Sequence, residues 1–84
     1  MEEKPMTVAE RLRAILKFTG VKQKQLAEYL QIKQSTLSKK LNGKVTLNTF
    51  DLYMFSQVFG TTIEDLLGGN KLLNALLEDY VAKN

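Results

Sequence analysis

Neither cysteine nor histidine occurs among the 84 residues, and those two absences close most routes to chemistry. A disulfide framework, a Cys/His zinc site, a thiol nucleophile and an imidazole base all require residues the chain lacks. Long apolar runs are missing as well, since nothing approaches the roughly 18 residues that cross a bilayer. The opening Met1-Glu2-Glu3-Lys4-Pro5 does not have the basic-then-apolar order of a secretion signal. The expectation is a soluble cytoplasmic protein with no cofactor, no metal and no catalytic residue. Apolar residues make up 44% of the chain, enough for one small core.

What the chain does have is charge of one sign in one place. Its net charge of +3 is the difference between two blocks. Between Arg11 and Lys44 lie nine basic residues (Arg11, Arg13, Lys17, Lys22, Lys24, Lys33, Lys39, Lys40 and Lys44) and one acid, Glu28, for a block charge of +8. From Val45 onward, Lys71 and Lys83 stand against Asp51, Glu64, Asp65, Glu78 and Asp79, giving −3. So lopsided a distribution points to one face for a polyanion and another for a different task.

Local signals predict helices throughout. Thr7 and Glu10 form a capping-box pair, so a helix starts near Val8 and carries Leu12, Ile15, Leu16 and Thr19 on one side before Gly20 stops it. Leu26, Ala27 and Leu30 mark a second helix over about 23–30. Leu37 and Leu41 mark a third, ending at Asn42-Gly43. Asn48, with Asp51 in the next turn, opens a fourth helix through Leu52, Phe55 and Phe59 to Gly60. Thr62 caps a short fifth over 63–67. After the break at Gly68-Gly69-Asn70, residues 71 to about 82 form a sixth with Leu72, Leu73, Leu76, Leu77 and Tyr80 along one side. No stretch alternates long enough to be a strand. The expected class is all-α, five compact helices plus a C-terminal sixth.

The stretch from Gln23 through Leu26, Ala27, Leu30, Ile32 and Leu37 to Asn42-Gly43 closely resembles the helix-turn-helix of the Cro and phage-repressor (xenobiotic response element) family, and the resemblance runs without insertion over about residues 8–69. It implies a DNA-binding domain over 1–69, double-stranded DNA as partner and a repressor-like transcription regulator that reads the major groove with a helix at about 34–42. Two short helices with so brief a turn must cross steeply, and the small Ala27 permits the approach. The outer face of the second helix then carries Gln34, Ser35, Ser38 and Lys39, whose side chains can pair with base edges: glutamine with adenine, lysine with guanine, serine with either. Matching position by position, the family pattern puts these four at bases and Gln23, Asn42 and Lys44 at the backbone, Gln23 also buttressing Gln34.

Three positions depart from the family. Gln31 occupies a turn position usually held by glycine, where a positive φ costs another residue about 1 kcal/mol or more. Leu16 and Leu41 stand where an Arg–Glu pair commonly joins the first helix to the recognition helix; an apolar pair avoids the desolvation of buried charge. Lys22 and Lys33 sit at the N-caps of both helices of the motif, where they cannot accept the free N–H groups and oppose the positive helix ends. That arrangement makes sense if phosphates approach both ends, which adds Lys22 and Lys33 to the expected backbone contacts.

A second face is expected from the apolar surplus of the later helices. Phe50, Tyr53, Met54 and Val58 lie off the stripe of the fourth helix, and the sixth, residues 70–84, is strongly apolar on one side. Either the last helix folds back onto its own core, or Phe50, Tyr53, Met54, Val58, Leu72, Leu73, Leu76, Leu77 and Tyr80 form a homodimer interface. Dimerisation would set two recognition helices about 34 Å apart on a palindromic operator. The competing expectation is a protein partner, with the same fold serving as an antitoxin or adaptor. An enzyme is not expected, because Glu64-Asp65 and Glu78-Asp79 sit at helix ends and do not converge. A membrane-surface role is disfavoured by Glu78 and Asp79 on the polar face of the last helix. Lys33→Ser is predicted to raise the melting temperature, as a proper cap contributes about 1 kcal/mol, while weakening binding to DNA in a fluorescence titration; unchanged binding would remove the phosphate role.

Overall fold

The computed structural model describes residues 6–83. Six helices follow one another: α1 (Val8–Thr19), α2 (Gln23–Leu30), α3 (Gln34–Leu41), α4 (Thr49–Phe59), α5 (Ile63–Leu66) and α6 (Lys71–Lys83). There is no strand among the described residues, and the expected all-α class holds, with helix ends within a residue of expectation.

Each boundary has a local cause. At α1 the capping box forms, Glu10 N donating to Thr7 Oγ1 at 3.1 Å and Thr7 N to Glu10 Oε1 at 3.4 Å. Asn48 and Asp51 reproduce it at α4, with bonds of 2.8 and 3.0 Å. Thr62 accepts from Asp65 N at α5, and Asn70 from Leu73 N at α6. The Asp65 carboxyl is held below the ordinary carboxylate range, chiefly by the Thr61 hydroxyl 2.7 Å away. Its contribution to stability is therefore present above the usual carboxylate pKa and fades as pH falls through the lowered one.

Gln31 adopts the left-handed conformation in full, with φ 58° and ψ 42°, and it is the sole non-glycine residue with positive φ among those described. The strain is offset by the bonds it permits. Gln31 N donates to Glu28 O and Ile32 N reaches back to Ala27 O at 3.1 Å, while Ile32 packs against the core. This is the usual manner of closing a helix C-terminus, with glutamine in place of glycine.

One cluster forms the core. Leu12, Leu26, Leu37, Leu41, Phe55, Leu66 and Leu77 are at most 1% exposed, and Ala27 is 3% exposed where α2 meets α3. At about 1.5–3 kcal/mol for each large side chain buried, these seven dominate stability. Leu16 and Leu41 are both buried in this cluster, so the apolar replacement of the Arg–Glu pair is a core contact.

The sixth helix folds back. Leu77 is 1% exposed, so it offers none of the interface surface expected of it, while Leu73 and Val58 are half-buried against the core. Tyr80 donates its hydroxyl to Lys17 O and sets its ring edge-on to Phe18, centroids 5.6 Å apart.

Arg11 is a second departure from expectation. Counted in the basic block, it is only 5% exposed, and Nε and Nη2 donate to Leu66 O and Asp65 O, each at 3.0 Å. Burial lowers its pKa, with Glu78 acting in the opposite sense, and a guanidinium remains charged regardless. It thus closes the C-terminal end of α5 against α1, using a charge that the helix end favours. Arg11→Met should lower stability by about 2–3 kcal/mol, the worth of buried hydrogen bonds from a charged donor, as read from a denaturant melt.

Candidate nucleic-acid interface

The inner face of α3 is consumed by Leu37 and Leu41, both fully buried. Its outer face is what remains. Lys33, Gln34, Ser35 and Lys39 are exposed, and Ser38 is half-buried between them and the body. An eight-residue helix whose outer face presents hydrogen-bonding groups and no apolar side chain is suited to base edges in a groove rather than to an apolar partner.

At the N-termini of α2 and α3, Lys22 and Lys33 have extended backbones and give no side-chain cap. At α2 the Gln25 amide partly compensates, its Oε1 accepting from Lys22 N at 3.2 Å. Lys22 and Lys33 are both exposed, and a helix N-terminus preceded by a cationic residue that does not cap it is electrostatically suited to a phosphate oxygen.

Not every basic residue in the block joins this face. Arg11 is turned into the core, and Lys40 is tied to Asp51 at 2.6 Å with both side chains 14% exposed. That ion pair fastens the last turn of α3 to the cap of α4, since the same Asp51 oxygen accepts from Asn48 N. Gln23 lines an open groove of about 310 Å³ with Arg13, Leu16, Lys17, Gly20 and Val21. No hydrogen bond from Gln23 to Gln34 is formed among the described residues, so the expected buttress is not in place in the free protein.

Arg13 is the side chain that sequence reasoning missed. From α1 its Nη1 donates to Asn42 Oδ1 at 2.8 Å, and Asn42 Nδ2 in turn donates to Ser38 O at 2.8 Å and faces Ser38 Oγ at 3.3 Å. Leu16 and Leu41, each beside or one turn from this bond, replace the family's cross-link between helix one and the recognition helix. Arg13 and Asn42 supply one at the surface, between a charged donor and a neutral acceptor. The only available signal was the absence of the usual pair.

Residues 11–71 match the family model of the Cro/C1-type HTH DNA-binding domain, which is more than half of the chain. The protein belongs to that family. Its Cro/C1-type fold is complete in α1 to α5, with α6 present in addition, and DNA is its partner, as befits a regulator's binding domain. No curated protein and no solved structure gives a significant match. No helix among the described residues is long and apolar enough to cross a membrane.

Within this Cro/C1-type domain, base and backbone contacts separate experimentally. Gln34→Ala should relax discrimination at one base pair, costing about 1–3 kcal/mol for the preferred base. Lys44→Ala should weaken all sequences alike and flatten the slope of log affinity against log salt by about one. Competition titrations at several salt concentrations distinguish the two patterns.

Proposed function

We propose that the protein is a sequence-specific, repressor-like transcription regulator that binds a palindromic operator as a homodimer. One observation carries the reading: a recognition helix whose apolar face is fully used inside the domain, leaving Gln34, Ser35, Ser38 and Lys39 as an uninterrupted polar edge flanked by Lys22, Lys33, Lys44 and Asn42. That edge carries none of the aromatic or methionine side chains that are enriched at the cores of protein–protein interfaces.

The dimer reading is supported by apolar surface the fold leaves open. Phe50 is 67% exposed and Tyr53 49%, one turn apart on α4; Leu72 is 71% and Leu76 49%, one turn apart on α6. Met54 is half-buried beside the first pair. A single short recognition helix buries little surface, and a two-fold axis doubles it.

Selection from a random duplex pool at two salt concentrations should recover an inverted repeat with half-sites about one helical turn apart and steep salt dependence. No enrichment at low salt would overturn the DNA reading in favour of a protein partner. Light scattering should find a dimer in the intact chain. Leu72→Glu with Leu76→Glu, or Phe50→Glu with Tyr53→Glu, should yield a folded monomer; the pair that does so locates the axis. A monomeric wild type at tens of micromolar removes the dimer.

A further inference from the structure

We infer that Asn42 is a positioning residue that fixes the hydrogen-bond polarity of Ser38, making Ser38 a donor toward DNA and so excluding cytosine at the base it faces. The inference rests on the proposed placing of Ser38 at a base edge.

An asparagine amide can ordinarily be turned either way, because its oxygen and nitrogen are interchangeable in shape. Here both ends are fixed by chemistry. Arg13 Nη1, 2.8 Å from one end, can only donate, so that end is the oxygen. Ser38 O, 2.8 Å from the other, can only accept, so that end is the nitrogen. Ser38 O also receives Asn42 N at 3.0 Å, so the backbone and the side chain of Asn42 hold the same carbonyl, while the side-chain amide is held at both ends by Arg13 and Ser38 O. The NH₂ group has a second hydrogen, and the second acceptor beside it is Ser38 Oγ at 3.3 Å.

A serine hydroxyl has one proton to give and two lone pairs to accept with. With Asn42 Nδ2 on one lone pair, the hydroxyl proton turns away from the amide, toward the exposed side of α3. Acceptors there complete the network: guanine N7 and O6, adenine N7, thymine O4. Cytosine offers only its N4 amino group in the major groove, which would bring a second donor onto Oγ and leave the serine proton unpaired. A buried donor without a partner is the costlier error. Asn42, assigned from the sequence to the DNA backbone, therefore acts on bases through Ser38, and Arg13 acts through Asn42.

The experiment measures relative affinities of the full chain for the four bases at each position of a selected half-site. Wild type should discriminate against cytosine about tenfold at one position. Asn42→Asp cannot donate: its carboxylate keeps Arg13, moves off the Ser38 carbonyl that it can no longer bond, and accepts the Ser38 proton, so the serine lone pairs face outward and the cytosine penalty at that position should vanish or reverse. Ser38→Ala should erase the penalty at the same position, and the double variant should resemble Ser38→Ala there. Arg13→Met removes one of the two holds on the amide and leaves Ser38 O to keep its nitrogen in place, so it should change the penalty little; Asn42→Ala, which removes the donor altogether, should reduce the penalty and serves if Asn42→Asp binds too weakly to score. A merely structural role for Asn42 would lower affinity for all sequences while leaving the ratios untouched. Unchanged ratios in Asn42→Asp or Asn42→Ala, with melting curves showing folded protein, overturn the inference. A penalty that survives Ser38→Ala does so too. Failure of wild type to select any sequence would instead strike at the proposed function.

Discussion

The burial of Leu37 and Leu41 is the constraint on which the remainder depends. These two residues anchor one side of an eight-residue helix in a core shared with Leu12, Leu16 and Leu26, and a helix so short has no stability of its own. Its orientation is therefore borrowed from its neighbours. Ala27 lets α2 come close, Lys40–Asp51 and Arg13–Asn42 hold the last turn from two sides, and the polar edge points outward because nothing apolar remains to turn inward.

The same economy explains the distribution of charge. Of nine basic residues in the first half, the fold diverts Arg11 to the carbonyls of α5, Lys40 to Asp51 and Arg13 to Asn42. Of the rest, Lys22, Lys24 and Lys33 stand at the N-termini of α2 and α3, where backbone N–H groups add to them. A count of charges along a sequence overstates how many can reach out to a ligand, and the difference here falls on residues that position others.

Helix positions were legible because their signals are local. Thr7 with Glu10, Asn48 with Asp51, and Thr62 each act within three residues, and glycine or Gln31 closes the helices within one turn. The outer face of α3 was legible for a similar reason, since periodicity separates Leu37 and Leu41 from Gln34, Ser38 and Lys39. Arg11, Arg13 and Leu77 were not. Each is defined by a partner thirty to sixty residues away, and an arginine reaching for a carbonyl or an amide leaves no pattern along the chain. The helical spacing of Leu72, Leu73, Leu76 and Leu77 gave the stripe correctly and could not say which part the chain would keep for itself.

The docking of α6 on α1 couples the two ends of the domain, Tyr80 meeting Lys17 across 63 positions of sequence. During synthesis the motif that reads DNA emerges early, with its caps and its turn already specified. Its supporting core stays open on one side until Leu73 and Leu77 arrive, because loop closure over such a distance must precede the contacts that reward it. The nascent chain thus holds a recognition helix in outline before α6 adds Leu73 and Leu77 to the core behind it.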